Sequence, residues 1–251
     1  MKKTILATAL SCACPLIFTS AANAVPLIDV KFATGTWSVS ANGDVGSTDT
    51  SIEELGLDDD NAIFYSIAFE HPVPVIPNVR LKRTNLTLDG TGTLEEDFIL
   101  DGEVFSAESA ITSNIDLSHT DLTLYYGLPE FFLDVDFGLT LRQYQGEFSA
   151  TTELEQEVVD IDAIIPMVFA DVRFDLPLTG LYLGAEANVL SVGDSSLSDY
   201  NARIGYSTDV IPFLADLDIE VGYREMSLTA EDDFDADVKI DGAYAQIMLA
   251  F

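Results

Sequence analysis

From Phe131 to Tyr144 the chain alternates with period two: Phe131, Leu133, Val135, Phe137, Leu139 and Leu141 share one parity, and Asp134, Asp136, Gly138, Thr140 and Arg142 share the other. In an extended strand successive side chains point to opposite faces. One face of this segment is therefore unbroken hydrocarbon and the other is charged or small, over the ten or so residues that a tilted strand needs to cross a bilayer. The pattern recurs. Val168, Ala170, Val172 and Phe174 oppose Asp171, Arg173 and Asp175, and Leu181, Leu183, Ala185, Ala187 and Val189 oppose Gly184, Glu186 and Asn188. Ala202 and Ile204 oppose Arg203, and Leu217, Ile219, Val221 and Tyr223 oppose Asp218, Glu220 and Arg224. The chain ends with Ala243, Ala245, Ile247, Leu249 and Phe251 on a single face.

A soluble β-sandwich also alternates, but its polar face looks at water and accepts lysine freely. Here the polar faces carry Gly, Asp, Glu and Arg and almost no Lys, as an enclosed polar interior prefers. No apolar run after the N-terminal segment approaches the length of a membrane helix; the longest, Ala163 to Ala170, contains Pro166. The balance of 11 Lys and Arg against 43 Asp and Glu gives a formal charge of −32, which argues against nucleic acid as a partner. A hydrophobic share of 48% with mean hydropathy of +0.23 is too apolar for a disordered acidic chain.

The connections alternate between short turns and longer acidic segments, the asymmetry of outer-membrane barrels. The short turns are His71 to Asn78, Gly127 to Glu130, Leu176 to Gly180 and Val210 to Ala215; the longer segments lie near 46–60, 89–112, 149–159, 192–199 and 229–237. This predicts an all-β, antiparallel, up-and-down transmembrane β-barrel of ten strands, eight and twelve being the neighbouring even counts. The strands are expected near 27–45, 61–70, 79–88, 113–127, 131–146, 160–175, 181–191, 200–209, 216–226 and 238–251. In 79–88 the parity does not decide which face Arg80, Lys82 and Arg83 take. Tyr125, Tyr126, Phe131, Phe132, Phe174, Tyr182, Phe213 and Phe251 lie beside short turns, where an interfacial aromatic girdle is expected.

Residues 1–24 read as a cleaved secretory signal: Met1-Lys2-Lys3 is basic, Ile5 to Phe18 is mostly apolar, and Ala22-Asn23-Ala24 is a small-x-small cleavage site. Pro15, Ser11, Thr19 and Ser20 make the segment a poor membrane anchor, and Ala9-Leu10-Ser11 before Cys12 is a poor lipoprotein signal. Cleavage after Ala24 removes Cys12 and Cys14, the only two cysteines, so the barrel at 25–251 has no disulfide or thiolate chemistry.

The signal, the alternating body and the terminal Ile247-x-Leu249-x-Phe251 together resemble Gram-negative outer-membrane β-barrels. The last three of those residues resemble the assembly signal that such proteins present to the barrel-assembly machinery, with Gln246 where a Gly is often found. More narrowly, Glu70-His71-Pro72-Val73-Pro74-Val75-Ile76-Pro77-Asn78-Val79-Arg80 is similar to a segment in a family of proteobacterial outer-membrane proteins. Their acidic first loop resembles Leu55-Gly56-Leu57-Asp58-Asp59. The resemblance implies a location and a fold and brings no activity with it.

Two groups of residues are candidates for chemistry. The acidic stretches 44–60, 89–108, 147–160, 194–199 and 225–237 hold 27 of the 43 acids and no Lys or Arg. They read either as a solvated, repulsive surface or as a site where divalent cations bridge to lipopolysaccharide phosphates. Asp233-x-Asp235-x-Asp237 is similar to the start of a calcium loop, but Val238 and Tyr244 stand where that loop wants Gly and Glu, so the metal assignment stays open. The second group is the polar parity of the strands: Asp134, Asp136, Arg142, Asp171, Arg173, Asp175, Glu186, Arg203, Asp209, Asp218, Glu220 and Arg224. Charges shut inside a narrow barrel should pair, giving either a rigid, largely filled lumen or a thin cation-preferring pore. An enzyme is disfavoured. His71 sits in a Pro-rich turn, Ser118-His119-Thr120-Asp121 alternates faces, and neither a Gly-x-Ser-x-Gly nor a phosphate-binding loop occurs. No cofactor is expected.

Overall fold

The computed structural model describes residues 28–46, 48, 50–57, 60–128, 133–193, 195–211, 215–230 and 236–251. The signal segment, Phe131, Phe132, Phe213, Asp233 and Asp235 lie outside these residues. Fifteen strands follow one another in the chain: β1 (Asp29–Val45), β2 (Thr50–Ser51), β3 (Asp60–Glu70), β4 (Asn78–Asn85), β5 (Thr87–Thr93), β6 (Phe98–Leu100), β7 (Glu103–Phe105) and β8 (Ala110–Asp116), then β9 (His119–Leu128), β10 (Leu133–Thr151), β11 (Gln156–Asp175), β12 (Leu181–Val192), β13 (Ser195–Ile211), β14 (Ala215–Ala230) and β15 (Ala236–Ala250).

Ten of them, β1, β3, β4 and β9 to β15, form a closed antiparallel barrel in which every neighbour is the next strand of the ten in the chain. The first and last strands close the ring, from Lys31 opposite Ala250 to Val45 opposite Ala236. Val30 and Phe251 exchange both backbone hydrogen bonds, at 3.0 and 3.1 Å, so the pairing runs to the final residue. Closure pairs every barrel strand on both sides over its spanning part, while β11 from Gln156 to Met167 runs past β12 and is paired with β10 alone.

The alternation read from the sequence sets the faces. On β10, Phe137, Leu139 and Leu141 are exposed on the outside while Thr140 and Arg142 are fully buried within. The same outward belt continues through Ile164, Val168 and Val172 on β11, Leu183 on β12, Ile204 on β13, Ile219 and Val221 on β14 and Ile247 on β15.

Beyond the belt the arrangement inverts. The outward residues of β10 become Gln143, Gln145, Glu147, Ser149 and Thr151, and the inward ones become Tyr144, Phe148 and Ala150. On β11, Asp160 and Asp162 face outward while Val159 and Ile161 pack inward. At the end far from the termini the barrel therefore encloses an apolar core, with Trp37, Leu55, Leu86, Phe98, Leu100, Phe105 and Ile111 all fully buried. Burying each such side chain stabilises by about 1.5–3 kcal/mol.

Five of those seven side chains, all but Trp37 and Leu86, come from segments expected to be acidic loops. In the 89–112 segment β5 pairs with β8, and β6 with β7 forms a hairpin that stacks Phe98 on Phe105 at 5.8 Å and brings Phe98 within 6.3 Å of Phe148. In 46–60, Ile52 and Leu55 turn inward. The expected loops at 149–159 and 192–199 are mostly strand: β10 and β11 pair as far as Thr151 and Gln156, and β13 begins at Ser195. Glu157 and Asp199 lie on strands because alternating partners such as Val159 and Leu197 reach the core, while Glu153 and Glu155 stay in the β10–β11 turn. The expected strands 79–88 and 113–127 are each interrupted. β4 gives way to β5 at Leu86 and β8 to β9 at 117–118, where Leu86 N donates to Ser118 Oγ at 3.0 Å.

Candidate functional site in the lumen

Just below the apolar core four charges from four strands meet. Arg142 donates from Nε and Nη2 to the two carboxylate oxygens of Asp121, both at 2.8 Å, and from Nη2 to Asp199 Oδ2 at 2.6 Å. Arg224 donates from Nε and Nη2 to Asp199 at 2.9 and 2.7 Å, and its guanidinium lies 4.4 Å from the ring centre of Trp37. All four charged residues are less than 5% exposed. Two arginines against two aspartates make a neutral set in which each carboxylate is held by bidentate hydrogen bonds, the geometry that repays desolvation best.

A second layer lies nearer the termini. Arg203 grips Asp171 at 2.7 and 2.8 Å, Arg80 donates to Glu186 at 2.7 Å, and Arg173 donates to Asp218 at 2.8 Å and Asp175 at 3.0 Å. Tyr182 donates to Glu220 at 2.6 Å beneath the Arg173 guanidinium, 3.6 Å from its ring centre, and Gln246 donates to the same glutamate. Tyrosines 182 and 244 lie flat because Gly205 and Gly222 stand opposite them on the neighbouring strands. A Cβ at Gly222 would stand 2.6 Å from Tyr244 Cε1.

Of the residues singled out from parity, Arg142, Asp171, Arg173, Asp175, Glu186, Arg203, Asp218, Glu220 and Arg224 are brought into these ion pairs. Asp134 and Asp136 line the lumen with no basic group at ion-pair distance among the described residues. Asp209 is exposed where β13 goes out of register near its end, and it does not join the network. The sequence leaves the face of Arg80 and Lys82 open, names Asp121 only beside His119, and does not single out Lys31, Glu70 or Asp199 as lumen charges. Asp199 was expected in an acidic loop, yet it lies five residues inside β13 and faces the axis. The period-two signal was present there, since Leu197, Asp199, Asn201 and Arg203 share one parity.

Two of the aromatics expected in the girdle also point inward. Tyr125, 4% exposed, donates to Glu70 at 2.7 Å, and Tyr182 is fully buried. Tyr126, Phe174 and Phe251 do face outward. Both histidines make local contacts: His71 Nδ1 accepts from Val73 N at 3.2 Å within its turn, and the buried His119 is bonded through Nδ1 to the Leu117 carbonyl at 2.9 Å and packs on Tyr144.

Between the charge layers and the terminus end lies a cavity of about 530 Å³. Ala33, Ser66 and Ala68 leave room on one side, with Arg80 beside Ala68 on β4; Asp171, Glu186 and Arg203 stand opposite, Phe64, Lys82, Arg224 and Tyr244 form its deep end, and Asp134, Asp136 and Asp216 lie toward its mouth.

No protein-family model matches the chain, and no curated protein is similar to it. Among solved structures, the barrel is similar to the outer membrane protease OmpT from Escherichia coli, at 11% identity over 89% of this chain and 96% of that one, with a TM-score of 0.47. A FadL homologue of Pseudomonas aeruginosa gives 8% identity over 90% of each chain and a TM-score of 0.36. The P. putida toluene transporter TodX gives 9% identity over 88% of this chain and 89% of that one, with a TM-score of 0.30.

Proposed function

We propose that the chain is an integral protein of the bacterial outer membrane, exported by a signal cleaved after Ala24, which serves as a closed structural or surface-interaction barrel rather than as a diffusion channel. The observation that carries the reading is the stack inside the barrel: the apolar core around Trp37, Phe98 and Phe105 rests directly on the buried Arg142–Asp121–Asp199–Arg224 set. An ion crossing that stack would have to displace hydrocarbon and bidentate ion pairs in turn, each step costing several kcal/mol. The outward belt supplies the lipid-facing surface.

With the termini and short turns on the periplasmic side, the apolar core and the acidic segments stand at the cell surface. There the acids would meet lipopolysaccharide, bridged by divalent cations. Ile247, Leu249 and Phe251 all face outward on the closing strand, which supports reading them as the assembly signal. Purified protein in planar bilayers should give no discrete conductance steps, and cell fractionation with heat-modifiable gel migration should place a folded barrel in the outer membrane. Reproducible steps that disappear in Asp134→Asn with Asp136→Asn would establish the narrow cation-preferring pore instead, and a soluble periplasmic monomer would refute the membrane assignment.

A further inference from the structure

The lumen cavity has opposite charge excesses at its two ends. At the deep end, Lys82 points inward over the Phe64 ring, 5.0 Å from its centre, and has no carboxylate within ion-pair distance among the described residues. The charges that bear on it most are Arg224, Glu186, Arg80 and Asp199. Every one of those carboxylates is already held by an arginine, whereas Arg224 Nη1 and Arg80 Nε are buried donors without an acceptor. The deep end therefore has cationic donors to spare.

The mouth has the reverse excess. Asp134, Asp136 and Asp216 line it without a basic partner among the described residues, while the lysine there, Lys31, is already engaged by Glu70 at 2.7 Å. The two ends are separated by the four residues from Lys82 to Asn78 on β4, about 13 Å of strand. Between them one wall carries the small side chains Ala33, Ser66 and Ala68, and the cavity volume lies in the range of ordinary small-molecule sites.

We infer that this cavity is a binding site for a slender zwitterion, held with its anionic group inward against Lys82 and its ammonium outward among Asp134, Asp136 and Asp216. A carboxylate at the deep end takes the unspent Lys82 ammonium, and an ammonium at the mouth meets Asp134, Asp136 and Asp216, which have no basic partner among the described residues. A molecule carrying only one of the two charges satisfies one end and leaves the other as it was. The ligand enters from the terminus side, which is the side away from the apolar core.

The test is calorimetric titration of the purified, folded full barrel with 6-aminohexanoate, which separates a carboxylate from an ammonium by five methylenes, alongside hexanoate and hexylamine. The expected result is saturable binding of 6-aminohexanoate, with both single-charge compounds at least about tenfold weaker, the loss of one charge-assisted contact. Lys82→Gln should remove the advantage over hexylamine, and Asp136→Asn the advantage over hexanoate. Heat-modifiable migration of each variant confirms that the barrel has formed. Absence of binding by 6-aminohexanoate to the folded parent overturns the proposal. So does hexylamine binding equally well and indifferently to Lys82→Gln, since the cavity is then only an acidic vestibule. Neither result touches bilayer conductance, so the closed-barrel reading stands or falls separately.

Discussion

Arg142 on β10 and Asp199 on β13 meet across the lumen at 2.6 Å, although two strands of the ring separate them. The contact ties two non-adjacent strands of the wall through the interior rather than through the sheet. Asp199 also receives Arg224, so removing its charge leaves the buried Arg224 without a carboxylate and Arg142 with Asp121 alone. Asp199→Asn is expected to destabilise the folded barrel by about 3–5 kcal/mol. Urea-dependent unfolding in lipid vesicles, read from gel migration, measures it. A loss below about 1 kcal/mol would show that the quartet does not bear on stability.

Phe98 and Phe105 are the centre of the apolar closure. Phe98→Ala should cost about 3–5 kcal/mol through the cavity it leaves. Excision of the β6–β7 hairpin should convert a silent barrel into one that conducts in planar bilayers, with the residual conductance limited by the Arg142 layer.

The inversion of hydropathy along the strands makes a position-dependent prediction. Leu139, outward within the belt, and Val158, outward beyond it, are both well exposed on the same side of the sheet. Leu139→Arg should cost about 2–4 kcal/mol in vesicles, as arginine does near a bilayer midplane, while Val158→Arg should stay within about 1 kcal/mol of the parent. Equal costs would mean that the belt is not where the lipid sits.

Gly205 leaves the space in which Tyr182 lies flat and reaches Glu220. Gly205→Val is expected to lift the ring, break that hydrogen bond and destabilise by about 1–3 kcal/mol. A Tyr182→Phe variant should show only the smaller, hydrogen-bond part of the loss, about 1 kcal/mol. If the two variants unfold alike, the glycine is not making room for the ring.

Much of this was legible in the sequence wherever a strand meets lipid on one side and charge on the other. Leu139 and Arg142 announce their faces because their environments differ as much as a protein allows. The signal fails at the two places where the environments converge. In β4, Arg80 and Lys82 face inward while Arg83 faces outward at the polar edge of the belt and donates to Thr120 at 3.2 Å, so basic residues occupy both parities. In the 89–112 segment, Leu94, Phe98, Leu100 and Phe105 are spaced among seven acids, and composition reads as loop although the apolar residues form the barrel's closure. Trp37 was not recognised for a related reason: its neighbours Thr36 and Ser38 are outward hydroxyls, so β1 lacks the hydrocarbon contrast of β10.

The change of phase along β10 also has a consequence for how the chain is assembled. Phe148, Ala150 and their partners can find one another only after the acidic stretches between them have crossed to the far side of the bilayer, because the lipid offers those carboxylates no solvation. Their packing is then a late event, and once it is complete it opposes retreat: withdrawing a strand would pull both glutamates and aspartates back into hydrocarbon and a finished core apart. The end of the molecule far from the termini thus acts as a latch, formed after passage and holding the spanning strands in place.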